Sequence, residues 1–100
     1  MVAQLITQRR KQILVHSVLY YRMGESVIPD HKWNEWAREL ASLQEQYPDI
    51  SANCPLAKEF ENFDPATGFD LPLDNLKAID EAQWLLNYHR EREKNNVRTE

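Results

Sequence analysis

The side chains best suited to bond-making chemistry in this chain are three histidines, His16, His31 and His89, and a single cysteine, Cys54. A zinc site needs ligands at spacings such as His-x-x-x-His on one helix, and neither that pattern nor a Glu-flanked histidine pair occurs. Cys54 could act as a nucleophile only with a histidine folded beside it, and a small thiol before a proline is more often a partly buried, inert group. The carboxylate pairs Glu59/Glu61 and Asp70/Asp74 lie in what reads as an exposed acidic loop, with no shielded pocket to tune them for acid–base work. No glycine-rich phosphate loop is present. No catalytic residue and no metal ligand is assigned, and the chain is not expected to be an enzyme.

The distribution of charge says more than its total. The net charge is -4, but residues 1–22 carry Arg9, Arg10, Lys11 and Arg22 with no acid. Residues 48–76 carry Asp49, Glu59, Glu61, Asp64, Asp70 and Asp74 against Lys58 alone. One basic turn on an acidic protein is a weak signal for phosphates, so direct nucleic-acid binding is not expected. The acidic residues Glu59, Glu61, Asp64 and Asp70 could imitate nucleic acid and occupy a basic site on another protein. A solvated or mutually packed set of charges is the simpler reading of both stretches.

The elements that must position these residues are helices. One hundred residues with 42% hydrophobic content and two glycines fit one all-α domain over residues 1–94, with 95–100 as a frayed tail. A first helix over about 3–23 has no proline or glycine, and Arg9, Arg10 and Lys11 are expected to stay in water. Gly24 is placed to end it in a left-handed conformation. A second helix over about 30–47 has Trp33, Trp36, Ala37, Leu40, Leu43 and Tyr47 as its apolar stripe, Asp30 as candidate N-cap and Pro48 as terminator. The two form a helical hairpin. A long ordered loop follows, with a short helix expected over Leu56–Phe63 and with Phe60, Phe63 and Phe69 pinning it to the hairpin. A third long helix over about 74–94 packs on the hairpin through Leu76, Ile79, Ala82, Leu85, Leu86 and His89, with Asp74 as candidate N-cap. No apolar run approaches a membrane span, no signal-peptide pattern is seen, and the lone cysteine fits a reducing compartment, so a cytoplasmic protein is expected.

Within this frame Leu19-Tyr20-Tyr21, Ile28-Pro29-Asp30, Trp33-Asn34, Arg38-Glu39-Leu40, Leu43 and Pro48-Asp49 form an ordered series. The series resembles the small N-terminal Ia domain of NAD-dependent DNA ligases, in register without a gap. The resemblance implies recognition of the nicotinamide mononucleotide half of NAD. By position, Tyr20 and Trp33 correspond to a stacking pair, Asp30 to a carboxylate that holds the ribose or amide, and Tyr21 and Asn34 to their neighbours in the pocket. Trp33 stands where the family has tyrosine, and Asn34 replaces a second acid. Such a set suits a flat cationic ring, which favours aromatic faces and nearby negative charge. The family's catalytic lysine lies in a Lys-x-Asp-Gly motif, and none of Lys11, Lys32, Lys58, Lys77 or Lys94 has Asp and Gly at those offsets.

Free-standing Ia-like proteins of this size resemble those of bacteriophages, in which an acidic, Gly-containing stretch such as Asp64–Pro72 and a further helix follow the motif. The leading expectation is therefore a non-catalytic phage accessory protein. It would act in the bacterial host cytoplasm by contact with a host or phage DNA-metabolism or defence enzyme, for example as an inhibitor. The alternative is a binder of nicotinamide mononucleotide or NAD, with no cofactor required. A filled space between Tyr20, Asp30 and Trp33 would leave them as hairpin core and cap; an open slot would favour the nucleotide. A homodimer through surplus aromatics is a further option.

Overall fold

No proline or glycine interrupts residues 2–23, and this run winds into one helical rod whose pitch changes near its end. In the computed structural model, which describes the backbone of residues 1–98 and the side chains of residues 1–93, helix α1 spans Val2–Ser17. A π-helical stretch, Val18–Arg22, continues it, with the Met23 N–H donating to Val18 O at 3.2 Å. The wider turn leaves Val18 and Leu19 fully buried while Tyr20 and Tyr21 point outward. Gly24 then adopts φ +66°, and the Glu25 N–H closes the end by donating to Leu19 O at 2.8 Å. Glycine reaches this left-handed conformation without the steric cost of a Cβ.

Helix α2 spans Asp30–Gln46 and buries Ala37 and Leu40 against α1, with Trp33, Trp36 and Leu43 half-buried beside them. The N-cap is the extended Pro29 (ψ 154°), not Asp30. Asp30 is the first helical residue and makes no capping bond, but its carboxylate lies in the first turn, where free N–H groups favour negative charge. Pro48 ends α2 and at once begins a short helix that the sequence pattern does not announce, α3 (Pro48–Ala52), because proline is preorganised for a first helical turn.

Residues 53–75 run in turns. The short helix expected over Leu56–Phe63 does not form: Leu56 and Asn62 take φ values of 67° and 58°, which break helical continuity. Phe60 is fully buried and Phe63 packs on it, with ring centroids 5.2 Å apart. Phe69 does not pin the loop to the core as expected. It is 66% exposed and its ring lies on Tyr21.

Helix α4, Leu76–Arg98, is capped by Asn75, whose Oδ1 accepts the Ala78 N–H at 3.0 Å, so Asp74 is not the cap. That start sets the phase of the helix. Ala78, Ala82 and Leu86 face inward, whereas Leu76, expected in the core, is 78% exposed. The helix runs over part of the segment 95–100 expected to fray, and residues 99 and 100 lie outside the described residues. The protein is all-α, with no strand among the described residues.

The largest departure from sequence expectation is Arg10. It is 1% exposed, and its guanidinium donates to Gln44 Oε1 (3.0 Å), Pro55 O (3.0 Å), Cys54 O (3.3 Å) and Ser51 Oγ (2.5 Å). Helix α1 is thereby tied to α2, α3 and the loop through one side chain. Arg9 pairs with Glu39 and lies over the Trp36 ring, so the basic turn is divided between the interior, an ion pair and the exposed Lys11. Among the described residues, no helix is long and apolar enough to cross a membrane.

Candidate functional site

The outward turn of Tyr20 and Tyr21 faces the first turn of α2, and the space between them is open. It forms a pocket of about 210 Å³ that Tyr20, Tyr21, Asp30, Trp33 and Asn34 line together, with His16 and Ser17 from the end of α1, and Ser26, Ile28, Pro29 and Ala66 completing it. Tyr20 and Tyr21 meet edge to face, with centroids 4.9 Å apart and planes at 89°. The Tyr21 hydroxyl shares a hydrogen bond with Thr67 Oγ1 at 3.1 Å, and Phe69 packs on its ring at 5.6 Å. Trp33 is half-buried in the same lining.

His16 lies 5.4 Å from the Trp36 ring, and burial lowers its pKa from 6.5 to about 4, so it is neutral near pH 7. The carboxylate of Asp30 is then the formal charge of the pocket lining. Aromatic faces, one carboxylate, an amide and hydroxyls can stack on and hydrogen-bond a flat cationic ring. The arrangement offers no nucleophile paired with a base.

Residues 1–55, which supply every lining residue except Ala66, match the family model of the DNA ligase-like, N-terminal NAD+-binding domain. The chain belongs to this family. DNA ligases of Pseudomonas aeruginosa strains LESB58 and UCBPP-PA14 are each 30% identical to it over 94 residues, covering 88% of this chain and 12% of the ligase. The chain thus spans about an eighth of the length of these curated relatives. No solved structure matches it.

The other candidate residues of this Ia-like domain are not gathered in the same way. Glu59, Glu61, Asp64 and Asp70 are all exposed along the loop, and none lines the pocket. Asp64 shapes its own turn, with Oδ1 accepting the Ala66 N–H at 2.9 Å. Cys54 is buried with its Sγ 3.6 Å from Ala3 O, and His89 pairs with Glu93 at 3.0 Å. Among the described residues, no group of three His, Cys, Asp or Glu side chains gathers in a metal-binding arrangement.

Two features are not singled out by sequence patterning. The first is the part of the lining made by Ser17 and Ala66, with Gly68 packed against Ser17. Its signals are slight: one small polar residue inside the apolar run Ile13–Tyr21, and the glycine of Asp64–Pro72. The second is an exposed aromatic pair on α4. Trp84 and Tyr88 stack with planes 5° apart and centroids at 5.4 Å, 66% and 49% exposed, and Arg92 lies over Tyr88.

Proposed function

We propose that the chain is a non-catalytic module that binds a nicotinamide nucleotide in the pocket between the π-helical end of the first rod and the start of α2. The observation that carries this reading is the convergence of Tyr20, Tyr21, Asp30, Trp33 and Asn34 on one open slot. A filled space would have made the same residues merely a core and a cap. At about 210 Å³ the slot is smaller than the roughly 300–1,000 Å³ usual for drug-sized ligands, which favours the mononucleotide half over the whole dinucleotide.

Calorimetric or NMR titration with nicotinamide mononucleotide and NAD tests the reading. Binding should be saturable, and Trp33→Ala should weaken it roughly 5- to 150-fold, the range expected for loss of one aromatic stacking face. Absence of any response at millimolar ligand would sink it.

A second reading, a phage accessory protein that works by protein contact, draws support from the exposed Trp84–Tyr88 pair. Trp, Tyr and Arg are the residue types enriched in interface hot spots. Capture from a bacterial lysate that is lost with Trp84→Ala but kept after charge reversal at Glu59, Glu61, Asp64 and Asp70 would place the contact on α4. The opposite result would return it to the acidic face, and self-association lost with Trp84→Ala would identify a homodimer.

A further inference from the structure

Ser17 is 1% exposed, and its hydroxyl is the one buried side-chain polar atom among the described residues without a hydrogen-bond partner. A serine in a helix ordinarily bonds back to a carbonyl one turn earlier or turns to water, and burial without either is unfavourable. Ser17 also lines the pocket. The hydroxyl is therefore an unused polar group at the edge of a polar site.

Gly68 is what covers it. A Cβ built on Gly68 would stand 2.3 Å from Ser17 Oγ and 3.2 Å from Trp33 Cζ2, so only a glycine lets the backbone come this close. The segment that carries Gly68 is a compact turn held mostly by its own bonds. The Thr67 N–H donates to Asp64 O, the Phe69 N–H to Thr67 Oγ1 and the Leu71 N–H to Gly68 O, each at 3.2 Å. Leu71 anchors it in the core, whereas across the pocket rim it is tied by the Tyr21–Thr67 bond and by the exposed Phe69 ring on Tyr21. A turn that keeps its internal bonds when it swings loses little on leaving the rim.

We propose that residues 64–70 form a latch over the pocket, and that Ser17 beneath it is a ligand-binding residue, its hydroxyl joining a polar group of a bound nicotinamide nucleotide once Gly68 lifts away. The inference rests on the nucleotide reading given above. The driving force is differential: the closed, empty state holds an unsatisfied hydroxyl, and the open, occupied state satisfies it.

Three measurements on the full chain test the latch, with nicotinamide mononucleotide as the probe. NMR should show the cross-rim NOEs between the Phe69 and Tyr21 rings weakening when the nucleotide is added. Ser17→Ala should bind the nucleotide roughly 3- to 10-fold more weakly, the worth of one net hydrogen bond, while the free protein's Tm stays level or rises because an unsatisfied group is gone. A merely structural serine would give the opposite sign in Tm. Gly68→Ala, whose methyl group displaces the turn, should weaken the same NOEs without ligand and bind at least as tightly as the wild type, since part of the opening has already occurred.

Unchanged or stronger Phe69–Tyr21 NOEs on binding would overturn the latch, as would unchanged affinity in Ser17→Ala or wild-type NOEs in a folded Gly68→Ala protein. If the wild type binds no nucleotide, the functional reading fails and takes the latch with it. If it binds and only the Ser17 and Gly68 results disagree, the latch fails alone.

Discussion

Replacing Arg10 by methionine isolates what the buried guanidinium does, because methionine refills the space of the methylene stem and leaves the loss chiefly polar. Desolvation lowers the Arg10 pKa from the usual guanidinium value, and the nearby Cys54 and Glu59 partly oppose that shift. Arginine remains charged under any ordinary condition. Its donors serve two backbone carbonyls, Cys54 O and Pro55 O, and two side chains, Gln44 and Ser51. Exchanging a whole buried ion pair for apolar residues is often neutral because both partners disappear together. Here the acceptors stay behind, and the carbonyls cannot be mutated away.

Hydrogen bonds to a charged donor contribute about 1.5–3 kcal/mol each, and removing one partner of a buried charged cluster typically costs about 3–5 kcal/mol in total. We expect Arg10→Met to fall in that range of about 3–5 kcal/mol. For a domain of this size each kcal/mol lowers Tm by about 4–8 °C, so a drop of about 12–40 °C should follow. Urea unfolding, with m compared between wild type and variant, and thermal melts by circular dichroism measure it. The pocket has no contact with Arg10, so nucleotide affinity at a temperature where the variant is folded should be unchanged. A loss below about 1 kcal/mol would refute the reasoning and return Arg10 to the solvated role that its neighbours in sequence suggest.

His16 should give the protein a pH-dependent term. Its folded pKa is lowered to about 4 by burial, so the unfolded chain takes up a proton that the folded chain refuses, and this contribution to stability falls as pH drops from about 6.5 towards 4. Allowing for the partial exposure of the ring, the loss should be about 1–2 kcal/mol. Urea unfolding at pH 7 and pH 4.5 should show it in the wild type, and His16→Gln should lose less over the same interval. Asn75→Ala removes the cap of α4 and should cost about 0.5–2 kcal/mol, whereas Asp74→Ala should stay within about 0.5 kcal/mol. Equal losses in the two cap variants would mean that the phase of α4 is set elsewhere.

The helices were legible because they rest on local rules, whereas Tyr20, Tyr21, Asp30, Trp33 and Asn34 were marked out by the resemblance of their series to the ligase Ia domain. An uninterrupted run from residue 2 to 23, Gly24 just past it and a three-and-four stripe from Trp33 to Leu43 are each properties of short windows. What escaped needed partners far along the chain. Arg10 looks solvated beside Arg9 and Lys11, and is buried only because Gln44, Ser51 and the carbonyls of Cys54 and Pro55 arrive to receive it. Asp30 and Asp74 were reasonable caps by residue type, but the caps fell one residue to either side, at Pro29 and Asn75, and only backbone geometry decides between neighbours.

The π-helical stretch joins these two levels. A regular α-helix through Val18–Arg22 would continue the register of the buried stripe, and nothing in the residue types there demands a wider turn. With the extra residue in the turn, Val18 and Leu19 remain in the core while Tyr20 and Tyr21 swing towards α2, and Ser17, the last residue before the change, is left buried below them. Tyr21 thereby becomes reachable from the far loop, where Thr67 and Phe69 meet it. One local change of pitch thus opens the slot, supplies its aromatic wall and gives residues 64–70 something to hold. π-helical turns recur at functional sites despite poorer hydrogen bonding, and this one contributes to the site more than to the core. A deletion of one residue within 18–22 should therefore restore regular helix at modest cost in stability, while it misdirects both tyrosines and abolishes nucleotide binding. Retention of binding in that deletion would show that the slot forms without the wider turn.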